Sequence, residues 1–101
     1  MRLVFDQAGW EDYQWWQAND RRLLKRINLL IDDALRTPSE GRGQPERLKH
    51  RASDVWSRRI TQEHRLVYRV VGTDLVILQA RFHYPSNLAT LPSVRSSRSE
   101  P

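Results

Sequence analysis

Leu23, Leu24, Ile27, Leu30, Ile31, Ala34 and Leu35 share one wide stripe when residues 21–35 are wound into a helix, the pattern of a helix lying on a core. Asp20 is placed to cap this helix. Pro38, with Gly41 and Gly43 behind it, predicts its end near Arg36-Thr37. Upstream, Leu3-Val4-Phe5 reads as a short buried strand, and Asp6 can cap a first helix of about three turns on which Trp10, Tyr13 and Trp16 or Gln17 recur at helical spacing. Downstream the period changes. Residues 55–60, 65–71 and 75–84 read as strands, joined by Thr61-Gln62-Glu63-His64 and by Gly72-Thr73, whose leading glycine suits a type II′ turn. Residues 38–53, polar and rich in Gly and Pro, read as a loop with a short helical turn around 46–50. The fold class predicted is α+β: one N-terminal strand, two helices, then a three-stranded antiparallel meander forming one sheet, with the helices on one of its faces.

A chain of 101 residues fits a single domain. Residues 1–84 carry the patterned elements. Residues 85–101 hold five Ser and three Pro with few large apolar residues and predict a mobile C-terminal tail. There is no cysteine, which excludes a disulfide framework, and no apolar run approaches the roughly 20 residues of a membrane span. The N-terminus meets Asp6 after three apolar residues, unlike a signal peptide. These features predict a cytoplasmic protein that does not associate with membranes.

Charge narrows the choice of partner. The net charge is +5, and residues 42–69 alone hold eight Lys/Arg against three Asp/Glu, so the surplus is local. A polyanion such as nucleic acid, or an acidic protein that neutralises the patch, is the partner implied. His50, His64 and His83 are scattered and lack metal-ligand spacing, and Gly41-Arg42-Gly43 is not followed by the lysine-serine pair of a phosphate loop. Neither a metal centre nor nucleoside triphosphate chemistry is expected, and no cofactor is implied.

Several residues then become candidates. Glu46 lies three positions before Lys49, so one helical turn would set both heads on one substrate; taken alone, such a pair reads more simply as a solvated ion pair. Arg59 and Arg65 flank a tight loop and suit bidentate grip of a phosphate, or merely protect a sheet edge. His83 ends an apolar strand, where a nearby phosphate would favour its proton; strand-end histidines are often structural. Tyr84 is a base or sugar contact or a plain strand-end tyrosine. The tryptophans, including Trp56, suit packing. Together a carboxylate, a histidine and several arginines without a metal describe RNA cleavage through its own 2′-hydroxyl, in which no protein nucleophile is needed.

The residues Pro45-Glu46, Leu48-Lys49-His50, Trp56-Ser57-Arg58-Arg59-Ile60-Thr61, Glu63-His64-Arg65-Leu66-Val67-Tyr68 and His83-Tyr84 resemble the YoeB toxins of the RelE-like group. Asp12-Tyr13, Trp16-Gln17, Arg36-Thr37-Pro38 and Glu40-Gly41 extend the likeness, which covers about residues 1 to 84. The resemblance implies a microbial-ribonuclease-type α+β domain, often a homodimer, that cuts mRNA in the ribosomal A site and is inhibited by a YefM-type antitoxin. By position it implies Glu46 as general base, His83 as general acid, Arg65 as stabiliser of the phosphorane-like transition state, Lys49 and Arg59 as further phosphate contacts, and Tyr84 as a contact to the scissile nucleotide. The tail at 85–101 departs from the family, whose members commonly end at or just past the His-Tyr pair. Relatives of the same scaffold that bind protein targets such as gyrase, and simple RNA-binding domains, are the alternatives; a binder need not keep Glu46 with His83.

Strand parity sets a condition. With Gly72-Thr73 as a two-residue turn, Arg65 opposes Ala80, so Arg65 and His83 point to opposite faces while Arg59 and His83 share one. A shared site therefore requires a bulge, or a loop at 61–64 that redirects a side chain.

Overall fold

The computed structural model describes residues 1–49 and 54–82. Strand β1 (Arg2–Phe5) leads into helix α1 (Gln7–Asn19) and helix α2 (Arg21–Arg36), followed by β2 (Glu46–Arg47), β3 (Val55–Arg59), β4 (Arg65–Val71) and β5 (Asp74–Gln79). Asp6 caps α1 by accepting from the Gly9 N–H at 3.1 Å, and Asp20 caps α2 through the Leu23 N–H at 3.1 Å. The second helix stops at Arg36, as Pro38 predicts.

The strands form one five-stranded sheet in the order β1-β5-β4-β3-β2. The expected meander is its centre, β3-β4-β5, antiparallel throughout. Two strands extend it. On one side β1 runs parallel to β5, from Arg2 opposite Asp74 to Phe5 opposite Ile77. On the other, Glu46 and Arg47 pair antiparallel with Ser57 and Trp56, so the residues expected to make a helical turn make an edge strand instead. Two residues are too short to show an alternation, and only the neighbouring β3 selects the extended form. Gly72 has φ 58°, as the first residue of a type II′ turn requires.

Both helices lie on one face. Ile27, Leu30, Ile31 and Ala34 of α2 and Trp16 of α1 are buried against Leu66, Tyr68, Leu75 and Ile77 of the sheet, with Ile60 and Ala80 closing the cluster. At Gly9 the first helix touches strand backbone: a Cβ there would collide with the Ile77 carbonyl oxygen. Asp12 and Trp16, one turn apart on α1, take both backbone groups of Ala80, the Asp12 carboxylate accepting its N–H at 2.9 Å and the Trp16 Nε1–H donating to its carbonyl at 2.6 Å.

The sheet is not regular. Val67 pairs with Gln79 but Tyr68 with Ile77, so Leu78 is an extra residue in β5. The irregularity that strand parity demanded is present, in the predicted third strand, which ends at Gln79 rather than at position 84.

Candidate active site

Arg58, Leu66 and Tyr68 face the helices, so alternation places Ser57 and Arg59 of β3 and Arg65 and Val67 of β4 on the opposite face. Glu46 stands directly across from Ser57 and joins that face from the edge strand. Arg59 and Arg65 are direct partners across β3 and β4. This corrects the predicted register, which had set them on opposite faces. The strand ends at Arg59, and Ile60 drops into the core instead of pairing, its N–H bonded to the His64 carbonyl at 2.9 Å and its own carbonyl held by Arg26 Nε of α2 at 2.8 Å. One residue more in the loop inverts the parity.

Glu46, Arg59 and Arg65 thus occupy three neighbouring strands at one end of one face. The Arg65 guanidinium is already oriented by backbone, its Nη1 donating to the carbonyls of Thr61 (2.7 Å), Gln62 (3.1 Å) and His64 (3.1 Å). Burial lowers its pKa, Arg59 lowers it further, and Glu46 offsets part of both; arginine nevertheless stays cationic. Glu46 and Arg59 are exposed, as is Lys49 in the turn after β2. Lys49 and Glu46 do not share a helical face, since Glu46 is in a strand. His83 and Tyr84 lie outside the described residues, as does the predicted tail at 85–101.

What leads up to His83 is described. Beyond Ala80 the chain turns through Phe82, whose φ is 63°. Gln79 Nε2 donates to the carbonyls of Arg81 (2.8 Å) and Phe82 (3.3 Å), and the Arg81 guanidinium stacks 3.8 Å from the centre of the Trp15 ring.

Two residues of the basic stretch, Arg58 and His64, are turned into the fold. Arg58 is completely buried. Its Nε donates to the Tyr68 hydroxyl at 2.8 Å, its Nη1 to the Arg42 carbonyl at 2.9 Å, and its Nη2 to the carbonyls of Thr37 (2.8 Å), Pro38 (3.3 Å) and Glu40 (2.6 Å). It pins the loop that delivers Glu46. His64 is half-buried and bonded to the turn at Phe82. No sequence signal separates Arg58 from its neighbour Arg59 except strand parity, which the loop length decides.

The chain, a sheet with two helices on one face, shares its fold with solved toxins of bacterial toxin-antitoxin pairs. Its family model, the YoeB-like toxin of bacterial type II toxin-antitoxin systems, matches residues 5–84, and the chain belongs to that family. It is 54% identical over 84 residues to Toxin YoeB of Escherichia coli, covering 83% of this chain and all of that one. The solved YoeB/ParE toxin from Agrobacterium tumefaciens superposes with TM-score 0.79 at 51% identity, over 83% of this chain and 100% of the other. YoeB from Staphylococcus aureus, solved as a dimer (TM-score 0.76, 39% identity) and as a YoeB-YefM complex (0.74, 38%), covers 83% of this chain in both structures, which are each covered to 98%.

Proposed function

We propose that the chain is a ribosome-dependent mRNA endoribonuclease that needs no metal. Glu46 takes the proton of a ribose 2′-hydroxyl, and the freed oxygen attacks the adjacent phosphorus. The bond to the 5′-oxygen breaks, and protonated His83 supplies that oxygen with its proton. Arg65, preset by three loop carbonyls, meets the charge that gathers on the phosphoryl oxygens; Arg59 and Lys49 add phosphate contacts, and Tyr84 meets the scissile nucleotide. The products are a 2′,3′-cyclic phosphate end and a 5′-hydroxyl end. The observation that carries this reading is the convergence of Glu46, Arg59 and Arg65 on one sheet face.

In the cytoplasm a YefM-type antitoxin inhibits the chain by laying acidic residues on Lys49, Arg59 and Arg65, and the chain forms a homodimer. The complex and the dimer of the Staphylococcus aureus relative support pairing with such an antitoxin and with a second copy of the chain; the acidic contact is argued from the charge of Lys49, Arg59 and Arg65 alone.

Cleavage of a reporter mRNA in a reconstituted translation system, with and without ribosomes, tests the proposal. Glu46→Gln and His83→Gln are each expected to slow cleavage by about 10²-fold or more, the usual worth of a general acid or base, and cleavage should require ribosomes. A Glu46 and His83 double variant cutting at the native rate would overturn the assignment.

A further inference from the structure

Phe82 holds a backbone conformation that an aromatic side chain rarely adopts, and it immediately precedes His83. Both of its backbone polar groups are gripped from the start of β4. Its N–H donates to His64 Nδ1 at 2.7 Å, and its carbonyl accepts from the Arg65 N–H at 3.0 Å. The imidazole is itself wedged, edge-on to Trp16 with ring centres 4.9 Å apart and 5.6 Å from the Phe82 ring. An Nδ1 that accepts carries no proton, so the ring is the neutral tautomer with its hydrogen on Nε2. Protonation would set two N–H donors against each other at 2.7 Å.

We infer that His64 is a positioning residue for RNA cleavage: as a neutral imidazole it clamps the Phe82 backbone and so fixes where the next residue, His83, enters the site. The inference rests on the reading of His83 as general acid. The two histidines then need opposite states, His64 unprotonated and His83 protonated.

The groups around the imidazole favour its neutral form. Burial lowers the His64 pKa most and Arg81 lowers it further, against Glu63, whose carboxylate stands 3.9 Å from Nε2 and favours the proton. From α1 the ring meets uncharged Trp16, and on β4 the Arg65 guanidinium is engaged with carbonyls of residues 61–64. Acidification therefore loosens the clamp even as it fills the general acid.

Three variants separate clamp from bulk. In His64→Asn the Oδ1 stands where Nδ1 stood and can still accept; His64→Gln moves the acceptor one carbon outward; His64→Leu removes it. Single-turnover cleavage on ribosomes is expected to fall by about 10²-fold for Leu and Gln, the scale of a small misplacement. Asn should keep most of the rate, and ribosome binding should be equal in all. The acid-side loss of rate belonging to His64 should vanish in Asn. In the native chain, nitrogen NMR should find His64 Nδ1 unprotonated at neutral pH and the Phe82 amide slow to exchange.

A folded Leu variant with the native rate overturns the inference. Where Leu does not fold, an Asn variant that keeps the native acid-side loss of rate does so instead. Absence of cleavage by the native chain would overturn the nuclease reading and the positioning role with it, whereas an Nδ1 proton at neutral pH would overturn the clamp alone.

Discussion

Arg58 carries a full charge into the interior, and no carboxylate among the described residues is hydrogen-bonded to it; five oxygens, four of them backbone carbonyls, satisfy its guanidinium. A compensating charge comes from Asp33, whose pKa is lowered chiefly by a hydrogen bond from the Arg42 N–H and slightly by Arg58 itself. Burial raises the pKa of Tyr68, and Arg58 pulls it back. Replacing Arg58 by Met strands these acceptors, each of which costs about 1–3 kcal/mol when left unpaired and buried. The expected loss is about 3 kcal/mol or more, read as a lowered urea midpoint. The charge-conserving Arg58→Lys should not avoid that loss, because an ammonium cannot span the forked set of carbonyls. The adjacent Arg59 faces solvent, and Arg59→Met should leave the unfolding free energy within about 0.5 kcal/mol of native. The basic composition of this stretch was legible from sequence, but which arginine turned inward was not. That choice depends on whether Ile60 pairs or packs, and a three-dimensional core settled it.

Elements were legible where a long periodic pattern or a cap specified them. The stripe on α2, both aspartate caps and the stop before Pro38 all appear where sequence placed them. Short or irregular elements were not, because β2 takes its conformation from a neighbour and the extra residue Leu78 has no local signature. The Leu78 bulge is nevertheless the device that parity required, since it shifts the end of β5 by one residue against β4. Helix α1 sits close enough to β5 to admit no side chain at Gly9. Gly9→Ala should therefore force the helix off the strand despite alanine's better helix propensity, costing about 1–3 kcal/mol by overpacking. Since the same helix holds Ala80 through Asp12 and Trp16, cleavage by this variant should fall further than its lost stability explains; a rate unchanged in a folded Gly9→Ala chain would show that α1 does not set the 80–82 turn.

For the molecule as a whole, His64 links folding to pH. Its folded pKa lies below the ordinary 6.5, so the unfolded chain binds the proton more readily. That stabilisation is complete above about pH 6.5 and is lost as pH falls through the lower folded value. Thermal midpoints should drop across that window in the native chain and show a shallower drop in His64→Asn; parallel slopes in the two chains would refute the linkage.

The strand order carries a consequence for how the molecule comes into being. Arg2 of β1 meets Asp74 of β5 across 72 positions of sequence, in a paired fork of 3.0 and 2.9 Å, and β5 is inserted between β1 and β4. Until that last strand is synthesised, the first has nothing to pair with, and the growing sheet exposes two raw edges. Contacts so distant along the chain form late and slowly. A nascent or truncated polypeptide ending before β5 therefore holds Glu46, Arg59 and Arg65 on an unfinished sheet, and the ribosome making it completes nearly all of the domain before the product can acquire a working shape.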